Sequence, residues 1–124
     1  MQNVYLTLRI TDYDAARAFY VDALGFRIDW DHRFAPGLPM FIHISRDDQA
    51  LYLSQHRGAG QVGELVYLYV PDVDAWYHEF RAKGVHIPDP PAGQPWGVRD
   101  MRVTDPDGNR LNISTRLPRD TPAG

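Results

Sequence analysis

The chain has 124 residues, the size of one ordinary domain and too short to hold a multidomain enzyme. Its 44% hydrophobic and 12% aromatic content, against 23% charged residues, lets it bury enough apolar surface to offset chain ordering, which excludes intrinsic disorder. A formal charge of -3 argues against a sequence-independent hold on nucleic acid phosphates, and the lack of cysteine excludes disulfides, thiolate zinc, iron-sulfur clusters and cysteine nucleophiles.

The opening residues Val4, Leu6, Leu8 and Ile10 alternate on one face, the pattern of a half-buried strand. Asp12 is placed to cap a helix whose apolar positions Ala16, Phe19, Tyr20 and Ala23 recur at helical spacing, and Gly25 ends it in a left-handed conformation. Three strands are expected next, Phe26 to Trp30, Met40 to Ser45 and Leu51 to Ser54, with a Pro- and Gly-containing loop at Ala35 to Pro39. After a glycine-rich link at Arg57 to Gly63 the same order returns. Val66, Leu68 and Val70 alternate, Asp72 caps a helix carrying Val73, Trp76 and Phe80, and Gly84 ends it. Strands are expected at Val85 to Ile87, Met101 to Thr104 and Leu111 to Ser114. Asp89 to Gly97, with three prolines and two glycines, reads as a loop that cannot continue a ladder. Asp105-Pro-Asp-Gly-Asn109 reads as a hairpin turn, and Pro118 to Gly124 as a frayed tail.

An offset of 60 residues pairs Leu8 with Leu68, Asp12 with Asp72, Asp14 with Asp74, Tyr20 with Phe80, and Ser54 with Ser114. Such a period marks one βαβββ unit used twice, because one copy alone cannot cover its apolar face. The expected fold is α+β, a single domain over residues 1-124 with modules at 3-57 and 63-116 and a tail at 117-124. Nothing at the start has the charge and apolar run of a targeting signal, and no window approaches 18 apolar residues. The expectation is a cytoplasmic protein bound to neither membrane nor nucleic acid.

If the apolar strand face packs on the helices, the opposite face carries Tyr5, Thr7 and Arg9, then Tyr52 and Ser54, and in the second copy Leu65, Tyr67, Tyr69, Arg110, Asn112 and Ser114. A face rich in tyrosine and hydroxyls suits a concave small-molecule site, and a flat subunit interface is the alternative. Of the five histidines, His43 alternates with Ile42 and Ile44 and joins Phe41 on that face, while His78 and His86 read as solvated. None has a tight acidic partner in sequence, and no nucleophile elbow exists. Trp96, in Gln94-Pro-Trp-Gly-Val-Arg99, is either a stacking platform for a planar ligand or a plug over the sheet edge.

Leu8-Arg-Ile-Thr-Asp12, Ala18-Phe-Tyr20, Leu24-Gly-Phe26 and Thr104-Asp-Pro-Asp-Gly-Asn-Arg-Leu111 resemble the vicinal oxygen chelate superfamily of glyoxalases, extradiol dioxygenases and bleomycin resistance proteins. The resemblance covers roughly residues 3 to 116 and implies eight strands curled into an open cup-shaped mixed sheet, helices outside, commonly in a homodimer. It also implies metal ligands on the first and last strands of each module, where this chain has Tyr5, Tyr52, Leu65 and Asn112. Leucine cannot coordinate a metal, and Tyr and Asn are poor ligands for a divalent one, so no metal and no cofactor is expected. A one-residue slip that brought Glu64 inward would turn Val66, Leu68 and Val70 away from the helices.

The bleomycin resistance branch of the superfamily remains. There a Trp-Gly pair nine residues before the DPDG turn stacks on the drug, as Trp96-Gly97 stand relative to Asp105 here. The resemblance implies a metal-free homodimeric binder that sequesters a planar cationic antibiotic, with Trp96 and Phe34 stacking. Asp31 and Asp100 meet positive charge, and Tyr5, Phe41, His43, Tyr52, Tyr67 and Asn112 line the cup. The alternatives are a lyase or isomerase using His43 or Tyr52 as acid or base, and a regulatory or interaction domain whose tyrosine face is covered by protein.

Overall fold

A computed structural model describes residues 5–33, 35–56 and 61–118. The eight strands form two separately hydrogen-bonded four-stranded mixed sheets, one per βαβββ module, in an α+β fold. The chain divides into two compact units, Met1–Glu64 with Asp105–Asn109, and Leu65–Thr104 with Arg110–Gly124.

In the first unit the strands β1 (Leu6–Arg9), β2 (Arg27–Arg33), β3 (Met40–Arg46) and β4 (Gln49–Ser54) lie in the order β1-β4-β3-β2. β1 runs parallel to β4, and the other pairs are antiparallel. Leu8, Ile10, Ile42, Ile44, Leu51 and Leu53 are buried together with Ala16, Tyr20, Leu24 and Phe26, so the alternation read from the sequence faces the helical segment. That segment departs from the expected single helix. Asp12 does cap α1 (Tyr13–Arg17), its carboxylate accepting from the Ala15 N–H at 3.1 Å, but Ala18–Ala23 then widen into π-helix. The Leu24 N–H accordingly donates to the Phe19 carbonyl five residues back, at 2.9 Å.

The wide turn carries a buried long-range contact. The Tyr20 hydroxyl, fully buried, donates to Asp105 Oδ2 at 2.7 Å. Burial first, then the Asp105 carboxylate, push the Tyr20 hydroxyl far above the ordinary phenol range. Asp105 also accepts from the Asp107 and Asn109 N–H groups, both at 2.8 Å, and from Asn109 Nδ2 at 2.9 Å. Asn109 Nδ2 in turn donates to the Arg9 carbonyl, and its Oδ1 accepts from the N–H groups of Gly63 and Glu64. The segment read as a plain hairpin turn is therefore a buried polar hub of the first unit.

The second unit holds β5 (Leu65–Tyr69), α2 (Val73–Ala82), β6 (Ala92–Gln94), β7 (Val98–Thr104) and β8 (Arg110–Arg116), with sheet order β5-β8-β7-β6. Asp72 caps α2 through the Ala75 N–H at 3.2 Å, and Val73, Trp76 and Phe80 are buried with Val66, Leu68, Met101, Val103, Leu111 and Ile113. Gly25 and Gly84 have φ of 80° in both modules, as helix-ending glycines require. Two strand expectations need correction. Val85 to Ile87 is irregular, and the expected loop Asp89 to Gly97 instead contains β6. Pro91 and Pro95 flank β6 without entering it, and an edge strand of three residues tolerates such neighbours. The link Arg57 to Gly60 and the tail from Arg119 onward lie outside the described residues, as does Val4. Among the described residues, no helix is long and apolar enough to cross a membrane.

Candidate functional site

Each unit turns one sheet face away from its helix, and the two faces differ in chemistry. In the first unit the register places Thr7 beside Tyr52, Tyr52 beside His43, and His43 beside Trp30. Tyr5, Trp30, Phe41, His43 and Tyr52 form one ring cluster, with Phe41 stacked on Tyr52 at 4.8 Å and Trp30 on His43 at 5.6 Å and 12°. Four of these five are the residues expected on this face, and Trp30 is the one missed. A β-bulge between Ile28 and Trp30 explains the omission, because it shifts the alternation of β2 by one residue.

The same bulge brings Asp29 onto His43, with Oδ2 2.9 Å from Nδ1, so His43 does have an acidic partner. Arg27 Nε donates to the other carboxylate oxygen at 2.9 Å and holds the Asp29 carboxyl below the usual range. Asp31 lies elsewhere. Its register partner is Ile42 on the helix-covered face, and it accepts from the Tyr13 hydroxyl at 3.2 Å. Phe34 lies outside the described residues.

In the second unit the register places Tyr67 beside Asn112 and Asn112 beside Arg102, with Tyr69, Ser114 and Asp100 in the next row. This face floors a cavity of about 560 Å³, whose walls include Tyr67, Gln94, Trp96, Asp100, Arg102 and Asn112. All four residues expected here, Tyr67, Trp96, Asp100 and Asn112, line it. Trp96 sits at the tip of the β6–β7 hairpin, where the Gly97 N–H donates to the Gln94 carbonyl at 3.1 Å and Gly97 takes φ 85°. The tight turn holds the indole out, 67% exposed, at the cavity rim.

Arg102 and Gln94 were not anticipated. Gln94 Nε2 donates to Asp100 Oδ1 at 3.1 Å, and Arg102 Nε donates to Asn112 Oδ1 at 2.8 Å. The signal for Arg102 is alternation within β7, where it stands between the buried Met101 and Val103.

These contacts also bear on the metal sites that the superfamily implies. Leu65 offers no donor, and the Asn112 carbonyl oxygen already accepts from a guanidinium. The Tyr5 and Tyr52 rings pack on one another at 5.4 Å. These residues do not fit a divalent metal. Among the described residues, no group of three or more His, Cys, Asp or Glu could hold one.

Several solved structures share the fold. A member of the glyoxalase/bleomycin resistance protein/dioxygenase superfamily from Sphaerobacter thermophilus DSM 20745 is 25% identical, with a TM-score of 0.74 over 94% of this chain and 98% of that one. TnmS3, an antibiotic binding protein from Streptomyces sp. CB03234, is also 25% identical, with a TM-score of 0.74 over 94% and 97%. A bleomycin-binding protein complexed with bleomycin is 23% identical, with a TM-score of 0.75 over 94% and 99%. No curated protein matches. The model of the family described as "Glyoxalase superfamily protein" matches residues 1–119, nearly the whole length, and the chain therefore belongs to the glyoxalase superfamily.

Proposed function

We propose that this protein binds a planar aromatic antibiotic and holds it away from its target, making and breaking no bond. The observation that carries this reading is the cavity of about 560 Å³ with Trp96 on its rim and Tyr67 on its floor. Its volume matches a drug-sized ligand, and two aromatic rings with a few convergent polar groups are what such sites use. The likeness to an antibiotic binding protein at 25% identity supports the same reading. Each ring stacked on the ligand adds on the order of 1 kcal/mol beyond area burial. The protein acts as a homodimer in this proposal, because the outer strand β2 leaves Trp30 44% exposed.

The test is a tryptophan-fluorescence titration with copper-loaded bleomycin, run beside Trp96→Phe. Saturable binding below about 1 μM, equivalent to roughly 8 kcal/mol, with the signal change lost in the variant, is the expected outcome. A flat titration removes bleomycin-type compounds as ligands.

A second reading, an acid–base lyase or isomerase, is favoured by Asp29 on His43 Nδ1, the arrangement that orients an imidazole for proton transfer. Turnover of the methylglyoxal–glutathione adduct, lost in Asp29→Asn, would establish it.

A further inference from the structure

The ligand's charge is a separate question from its aromatic body, and the cavity is lined by two carboxylates, Asp89 and Asp100, and one guanidinium, Arg102. Asp100 faces the cavity, but one of its oxygens already accepts from Gln94. Arg102 faces the same cavity and, among the described residues, has no carboxylate partner. Its Nε is tied to Asn112, and among the described residues neither terminal nitrogen has an acceptor. The neighbouring Arg99 shows what a structural arginine looks like in this strand. It turns to the other face, and Asp74 of α2 takes Nε and Nη2 at 2.9 and 3.0 Å.

Asn112 is buried, 7% exposed, so its amide is a fixed anchor that sets the plane of the Arg102 guanidinium before any ligand arrives. A guanidinium held by Nε still presents its two terminal nitrogens as one fork, the geometry that receives a carboxylate through two parallel hydrogen bonds. Thr104, two residues along β7 and also lining the cavity, adds a hydroxyl.

We infer that Arg102 is a specificity residue that receives a carboxylate carried on the ligand's aromatic ring system, while the ring stacks at Trp96. The inference rests on the binding reading above and adds one requirement to the same cavity: an oxyanion on the part of the ring system that reaches Arg102, whatever charge the rest of the ligand carries.

Three naphthalene probes separate the terms, because they share one ring system: 2-naphthoate, 2-naphthamide and 2-naphthylmethylammonium. Each is titrated by NMR at pH 7 into the whole protein, the Tyr67 and Trp96 ring signals reporting occupancy, and into Arg102→Gln and Arg102→Lys. The wild type is expected to prefer naphthoate over naphthamide by about tenfold, or 1.4 kcal/mol. Arg102→Gln is expected to lose that preference while keeping naphthamide affinity. Arg102→Lys, which keeps the charge without the fork, retains part of the preference and serves if the glutamine variant fails to fold. Equal affinities, tighter binding of the ammonium probe, or a preference that survives both substitutions overturns the role of Arg102 and leaves the cavity as a binding site. No shift of Tyr67 or Trp96 with any probe overturns the binding reading itself.

Discussion

At the scale of single residues, the buried hydroxyl of Tyr20 carries a measurable share of the fold. A hydrogen bond from a neutral donor to a buried carboxylate contributes about 1.5–3 kcal/mol, and Asp105 is buried. Tyr20→Phe is expected to lower the unfolding free energy by that amount in urea, with an unchanged m-value. The pH dependence has a definite sign. The hydroxyl titrates far above its ordinary value in the folded chain, so its contribution is complete below the unfolded tyrosine pKa of about 10. Above that pH the unfolded chain loses a proton that the folded chain keeps, and stability falls by about 1.4 kcal/mol per unit. The fall should be shallower in Tyr20→Phe, as denaturation series between pH 9 and 11 would show. An identical slope in both proteins would assign the alkaline loss to other groups.

At the scale of elements, two local irregularities place the functional side chains. The bulge in β2 brings Asp29 and Trp30 to His43, and the tight turn after β6 lifts Trp96 to the cavity rim. Gly97 is required there for its φ of 85°, since a Cβ at this position meets no atom within 4 Å and only the backbone conformation penalises it. Gly97→Ala is expected to cost about 1–2 kcal/mol by the left-handed penalty alone. Ligand affinity should drop with it because the indole loses its fixed platform. Thermal melts and the bleomycin titration read the two effects separately. A variant with wild-type stability would show that the turn relaxes into another conformation at no cost.

At the scale of the whole molecule, binding and assembly are readable in solution. A ligand at 100 times its Kd stabilises the folded chain by about 2.7 kcal/mol, which a thermal shift detects easily. The interaction-domain alternative predicts no shift with any saturating small molecule. Sedimentation equilibrium is expected to give twice the chain mass at micromolar concentration, and a monomer at every concentration would remove the homodimer from the proposal.

The repeat at an offset of 60, the two capping aspartates, the helix-ending glycines and the apolar alternation are all local signals, and they were enough to determine two βαβββ modules and which strand faces oppose the helices. For the same reason Tyr5, Phe41, His43 and Tyr52 were legible as one face, and Tyr67 and Asn112 as another, whereas Trp96 was read from its loop and Asp100 from its charge. Asp31, expected beside the ligand, turned to the helix because a bulge inserts one residue and inverts the alternation beyond it, which no period-two count can foresee. The hub at Asp105 was hidden for a related reason: it is built on a hydrogen bond between residues 85 positions apart. The Asp29–His43 pair and the tether of Arg102 to Asn112 join neighbouring strands through side chains. Periodicity fixes the face on which a side chain emerges, whereas its partner there is set by register, and register is a property of the folded sheet.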